Sequence, residues 1–183
     1  MTKRIILILT IFATFSCGQF ENNDIYKTKG EEYASKKGNF VADFPIEPNH
    51  TAIDNQIGLD KFEIHLYRSA FAGRKIFNVE YNDYPTHMLK SLTTEELYNQ
   101  AVNNFAYKVA DNFDLIYQKS IEQNGLQGQA FQLELNDNAK KKGHDGFIMG
   151  RIFKDENRVY TVTYMGIDDN RVGSFLESFR LLR

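Results

Sequence analysis

The chain has 183 residues, with 22 basic and 24 acidic side chains for a formal net charge of −2. That length accommodates one domain of ordinary size with a single core, and the mild acidity supplies no basic face of the kind nucleic acid requires. A single cysteine excludes an internal disulfide, while 15 Phe and 10 Tyr without any Trp suit half-buried strands.

Lys3 and Arg4 precede an uncharged, mostly apolar run from Ile5 to Phe15, the order of a secretory signal's charged and hydrophobic regions. The run falls short of the about 20 apolar residues that cross a bilayer, and Gly18, Gln19, Glu21, Asn22, Asn23 and Asp24 end it. Its last residues, Thr14-Phe15-Ser16-Cys17, resemble a bacterial lipobox in Ser16 and Cys17, whereas Thr14 and Phe15 stand where Leu and a small residue are usual. The resemblance implies removal of residues 1–16, a diacylglycerol on the Cys17 thiol and acylation of the new amino group. A plain signal peptide with an incidental cysteine is the competing reading. The position of the sole cysteine favours lipidation, because a leftover thiol is a liability in an exported domain. At about 0.8 kcal/mol per buried methylene, two or three acyl chains anchor stably where one does not. The expected location is therefore the cell envelope, membrane-anchored and facing the periplasm or the exterior. Without Lys3 and Arg4 the mature chain carries 20 basic and 24 acidic residues, a net charge of −4.

From Cys17 to Gly38 the composition is polar and charged, with scattered apolar residues, and predicts a flexible tether. A single domain is then expected over residues 39–183. Residues 39–44 alternate with Phe40 and Phe44 on one face, and Pro45 ends this first strand. Pro48 and the polar run from Asn49 to Gln56 predict a loop. Leu59 to Tyr67 alternates cleanly: Phe62, Ile64 and Leu66 lie on one face, and Lys61, Glu63, His65 and Tyr67 on the other. After a turn over residues 72–75, Phe77, Val79 and Tyr81 alternate with Asn78 and Glu80 in the returning strand of a hairpin, which closes at Asn82-Asp83-Tyr84-Pro85.

Thr93-Thr94-Glu95-Glu96 predicts a capped helix start running to about Ala110. Its apolar stripe comprises Leu97, Ala101, Val102, Phe105, Ala106 and Val109, leaving Gln100, Asn103, Asn104 and Lys108 in water. Leu115 to Ile121 and Gln129 to Leu135 form a hairpin around Asn124-Gly125, with Phe131, Leu133 and Leu135 inward. A polar loop over residues 136–144 leads to strands at Phe147 to Lys154 and Arg158 to Met165. Asp168 or Asp169 caps a final helix with Val172, Phe175, Leu176 and Phe179 at helical spacing, ending near Ser178, and residues 180–182 add a short edge strand.

These elements describe an α+β domain, an antiparallel sheet of about six to seven strands covered by two helices. The landmarks Gly38, Phe40, Phe44 and Pro45, the hairpin ending Tyr81-Asn82-Asp83-Tyr84-Pro85, the helix, the Asn-Gly hairpin, the Tyr-rich strand pair and the closing Phe175, Leu176, Ser178 and Phe179 resemble bacterial proteins of the PsbP, Mog and DcrB type, over roughly residues 38–183. The resemblance implies their fold and an assembly, accessory or partner-binding role, and it transfers no catalytic residue.

Glu63 and His65 point the same way and offer two metal ligands; His50, His87 and His144 are the possible third, and an ordinary polar sheet face is the simpler reading. Together with Tyr67, Asp83 and Tyr84 they make the expected binding surface. There is no H-E-x-x-H, no phosphate-cradling glycine loop and no G-x-S-x-G around Ser69, Ser91, Ser120, Ser174 or Ser178. Lys140 to Lys142 with His144 form a basic patch that reads as a solvated hairpin tip or a contact for an acidic partner, and Tyr67, Tyr81, Tyr84, Tyr117, Tyr160 and Tyr164 read as sheet packing or as the lining of a groove. No cofactor or metal is implied. The reading that results is a lipid-anchored, non-catalytic envelope protein that binds a protein or other envelope component. The alternatives are a metal-dependent hydrolase or a small-ligand carrier on the exposed sheet face.

Overall fold

The protein is described by a computed structural model over residues 24–71 and 74–182. In chain order its elements are β1 (Ile25–Lys27), β2 (Tyr33–Ser35), β3 (Phe40–Ala42), β4 (Asn49–Ile57), β5 (Asp60–Phe71), β6 (Lys75–Asp83), α1 (Thr86–Leu89) and α2 (Thr94–Val109). They continue with β7 (Phe113–Gln123), β8 (Leu126–Leu135), α3 (Asp137–Lys141), β9 (Phe147–Asp155), β10 (Arg158–Gly166), α4 (Val172–Ser178) and β11 (Arg180–Leu181). Seven strands pair in the order β4-β5-β6-β10-β9-β8-β7, and a smaller sheet runs β1-β2-β3-β11; all the strand pairs are antiparallel. The domain is thus α+β with an antiparallel sheet of seven strands.

The large sheet is covered on both faces. On one, α1 and α2 bury Met88, Leu89, Leu97, Val102 and Phe105 against Ile64, Phe131, Leu133, Ile148 and Ile152. On the other, the small sheet and α4 bury Phe40, Phe44, Phe175 and Phe179 against Tyr67, Phe77, Tyr81, Phe153, Tyr160 and Tyr164. Strands in the middle of such a sandwich have no wet side, so β6 is buried continuously from Phe77 to Asn82 and β10 from Val159 to Tyr164. Their polar residues therefore have to find partners inside the protein.

Local signals place the elements as the sequence predicts in several places. Thr93 Oγ1 accepts from the Glu96 amide while the Glu96 carboxylate accepts from the Thr93 amide, a complete capping box for α2. Asn124 and Gly125 take φ of 51° and 76°, the mirror-image turn that matches strand twist in a two-residue hairpin. Gly150 leaves room for the Phe131 ring, which lies where its Cβ would stand. Phe131 in turn packs against Phe105 of α2 at 5.2 Å between centroids, so the glycine sets how closely helix and sheet approach.

Five expectations are corrected. Residues 49–56, expected as a loop, form β4, an edge strand hydrogen-bonded to β5 alone; its polar side chains hid it because an edge strand is partly wet. Residues 25–35, within the expected tether, form β1 and β2, too short to show periodicity. The remainder of that expectation, with the signal segment and Cys17, lies outside the described residues as far as Asn23. The polar loop after β8 contains α3, capped by Asn136 Oδ1 on the Ala139 amide at 2.9 Å. Asp169 does not cap α4 directly: it braces the preceding turn through the Arg171 amide, the Arg171 guanidinium and Lys75. Finally, the face expected to be exposed on β5 is largely covered, with His65 5% and Tyr67 0% accessible.

Candidate functional site

Two polar groupings are built into this sandwich, one on each face of the large sheet. The first joins the small sheet to β5, β6 and β10. The Tyr67 hydroxyl donates to Asp24 at 2.7 Å, Ser35 Oγ bonds Asp24 and lies 2.9 Å from Tyr67 Oη, and the Lys37 amide donates to the other Asp24 oxygen at 2.8 Å. Burial opposes ionisation of Asp24, but the bonds from Ser35, Lys37 and Tyr67 outweigh it and hold the carboxyl below the usual range. Tyr160 donates to the Gly38 carbonyl at 2.9 Å. Arg158 grips Asp83 with two bonds of 2.6 Å, donates to the Lys37 carbonyl, and lies over the Tyr81 ring at 4.2 Å.

A stack of rings runs beneath these bonds. His50 lies on Tyr67 at 4.4 Å and on His65 at 5.3 Å, and His65 lies on Tyr81 at 4.5 Å. Burial, followed by the positive charge of Lys37, lowers the His65 pKa to about 4, so the ring is neutral at physiological pH. Its tautomer follows from its partners. Glu63 Oε2, 3.1 Å from His65 Nε2, can only accept, so Nε2 carries the proton and Nδ1 accepts from His50 Nε2 at 3.1 Å. The hydrogen bonds thus run from His50 through His65 to the half-exposed Glu63 carboxylate. Burial likewise raises the pKa values of Tyr67 and Tyr81.

The expected binding surface is therefore partly assembled and partly dispersed. Glu63, His65 and Tyr67 stand along one face of β5, and Asp83 reaches the same grouping through Arg158 and Tyr81. Tyr84 is on the other side of the sheet, buried against Phe62 at 5.2 Å. Of the tyrosines considered as a groove, Tyr67, Tyr81, Tyr84, Tyr160 and Tyr164 are buried core and Tyr117 is exposed on the β7 edge. Lys140 to Lys142 and His144 are exposed around α3. Among the described residues no group of three or more His, Cys, Asp or Glu side chains is arranged to hold a metal. Sequence reading missed Asp24, Ser35 and Arg158, which meet β5 and β6 only through long-range pairing, and of the three histidines considered as a third ligand it is His50 that meets His65.

The second grouping lies between α2 and the opposite face of β5, β6 and β10. Register sets Arg68, Asn78 and Thr163 side by side in one row and Leu66, Glu80 and Thr161 in the next, with Asn82 one step further along β6. Arg68 donates to Asn78 at 3.0 Å, and Asn82 donates to Glu80 at 3.4 Å. From α2, Gln100, Asn104 and Lys108 recur every four residues and make one ridge. Burial raises the Glu80 carboxyl to about 7 against the opposing pull of Asn82, Lys108 and Arg68, and burial lowers the Lys108 ammonium to about 8. Buried groups shifted this far toward neutrality mark functional sites more often than chance places them. Lys108, expected in water, instead has its ammonium buried. The signal was present, since Lys108 follows Ala101 by seven and Phe105 by three, and Asn78, Glu80 and Asn82 alternate on a strand with no exposed face.

No family model matches the chain, and no curated protein matches it in sequence. In fold it is similar to the solution structure of cyanobacterial PsbP (CyanoP) from Synechocystis sp. PCC 6803, at a TM-score of 0.55 and 13% identity, over 91% of this chain and 97% of that one, so the fold is PsbP-like.

Proposed function

We propose that this protein is a lipid-anchored accessory module of the bacterial cell envelope, tethered through Cys17 and facing the periplasm or the exterior, whose α+β domain binds a protein or other envelope component without catalysing a reaction. The observation that carries the non-catalytic reading is the commitment of the His65 face to internal bonds. Asp24 is taken by Ser35, Lys37 and Tyr67, Asp83 by Arg158, and His65 is held neutral by burial with both ring nitrogens bonded. A general base works best with a pKa near the working pH, and this ring titrates near 4. The grouping instead clamps the small sheet onto the large one. The resemblance to PsbP, Mog and DcrB proteins supports an accessory role, and the likeness in fold to cyanobacterial PsbP accords with it.

Asp24 and the strand that follows it belong to the folded domain. Between Cys17 and Asp24 fully extended chain reaches at most about 25 Å, so the partner is expected at or near the membrane surface. The experiment is in-membrane crosslinking of the full-length protein followed by identification of the crosslinked species. The expected result is a discrete partner adduct that disappears when Cys17→Ser releases the protein from the membrane. Absence of any adduct, together with turnover of a substrate by the purified domain, would overturn the reading.

A further inference from the structure

The hairpin of β4 and β5 runs past the end of its own sheet. Strand β5 meets β6 only from Ile64, opposite Asn82, whereas β4 stays paired to β5 as far as Ile57 opposite Asp60. Among the described residues, the stretch from Asp60 to Glu63 therefore has β4 as its sole strand neighbour. The arm is braced, since Phe62 packs on Tyr84 and His87 of α1 lies 3.0 Å from Asp60, but its tip stands clear. Leu59 is 97% accessible, more than any other large apolar side chain among the described residues, and a Cβ on Gly58 would meet no atom within 4 Å. Gly58 takes φ of 64° and opens a two-residue turn whose second place ordinarily carries Asn, Asp or Ser. A lone exposed leucine on a flat surface needs no explanation, whereas one at the apex of a projecting arm is placed to enter something.

The chain's proposed anchor enters the fold at the same end of the sheet. Asp24, the first described residue, is bonded to Tyr67 of β5 and to the Lys37 amide. The Lys37 carbonyl accepts from Arg158, which grips Asp83 at the end of β6, and this is the end that the arm overshoots. Leu59 is eight residues from Tyr67, about 26 Å along a strand at about 3.3 Å per residue, and Cys17 lies within about 25 Å of Asp24. Anchor and tip can therefore reach one plane together. Lys61 and His87 stand beside Asp54, Asp60 and Glu63 around the tip, which leaves no excess of positive charge to draw anionic headgroups, so the attraction falls to the apolar side chain. We propose that the tip of the β4–β5 hairpin enters the interfacial layer of the membrane that holds Cys17, with Leu59 at the boundary of headgroups and acyl chains, and so fixes the orientation of the domain. This second, non-covalent contact rests on the proposed anchoring through Cys17.

The test supplies the anchor chemically. The chain from Cys17 to Arg183 is coupled through its sole thiol to a maleimide lipid in phosphatidylcholine vesicles. Because the chain has no Trp, Leu59→Trp introduces a single emitter at the tip. Tyr107→Trp introduces one at an 84% accessible position of α2, close to where that helix leads into β7 at the opposite end of the sheet. Both side chains lie on the surface, so neither change threatens folding. Coupling is expected to shift the Leu59→Trp emission to the blue and to let brominated acyl chains quench it, while Tyr107→Trp keeps its solution emission and escapes quenching. Leu59→Trp emission that coupling leaves unshifted and unquenched would overturn the assignment and leave the tip as a contact for a protein. Equal quenching of both variants would also overturn it, because the domain would then have no fixed orientation. A failure of lipidation in the cell is read separately, from the mass of the natural product.

Discussion

Glu80 is a fully buried carboxyl on β6 whose ionisation is linked to folding. Its carboxyl ordinarily titrates near 4.5 and is raised to about 7 by burial in the folded chain, a difference worth about 3 kcal/mol at about 1.36 kcal/mol per pH unit. Between those values the native state holds a proton that the unfolded state has released, so stability falls as pH rises from about 4.5 to about 7. His65 works in the opposite sense. Lowered from 6.5 to about 4, it leaves the unfolded chain binding the extra proton, and its contribution to stability rises with pH across nearly the same interval, by a similar about 3 kcal/mol. The wild type is therefore expected to be flat across that interval because two large slopes cancel. Glu80→Gln removes one of them. Measured by urea unfolding at pH steps from 4.5 to 8, its stability relative to wild type is expected to climb by about 3 kcal/mol, while His65→Gln is expected to fall across the same steps. Parallel profiles for wild type and Glu80→Gln would refute the placement of Glu80 in a buried, poorly bonded site.

Other parts of the structure are tested by single changes. Thr93→Ala removes the hydroxyl half of the capping box and is expected to cost about 1 kcal/mol in thermal or urea unfolding. Gly150→Ala drives a methyl into the Phe131 ring and is expected to cost about 1–3 kcal/mol, with the shift in hydrogen exchange concentrated where Phe105 of α2 meets β8 and β9. Asp24→Asn weakens the junction of the two sheets. Because the Asp24 pKa is lowered in the native state, the wild type loses this contribution as pH falls through the folded value, and the stability gap between wild type and variant is expected to close in acid.

What the sequence made legible was local. The Thr93-Thr94-Glu95-Glu96 start, the Asn124-Gly125 turn and the alternation of β5, β6 and β8 each carry their own physics in adjacent residues, and the edge strand β11 follows from the short stretch after α4. What escaped depended on distance or on a second cover. Strand β4 is polar because only one side of it is paired, and β1 and β2 are three residues each, shorter than a period can be read. Phe77, Val79 and Tyr81 alternate with Asn78 and Glu80 as the two faces of a strand, but nothing in a strand's own residues announces that both sides are covered, so a polar residue is easily assumed to be wet. The same assumption put Lys108 in solvent and His65 on an open surface. Glu63, His65 and Tyr67 were placed together by period-two spacing, whereas Tyr84 was added from its nearness in sequence to Asp83, and the strand's pleat sends it to the opposite core.

The most direct test of the central claim is detergent-phase partition and intact mass of the protein expressed in a bacterial host with its own N-terminus. The expected product is a chain beginning at Cys17, carrying the mass of at least a diacylglycerol and partitioning into detergent, with Cys17→Ser abolishing both. An unmodified Cys17 thiol on protein that remains in the aqueous phase would contradict it.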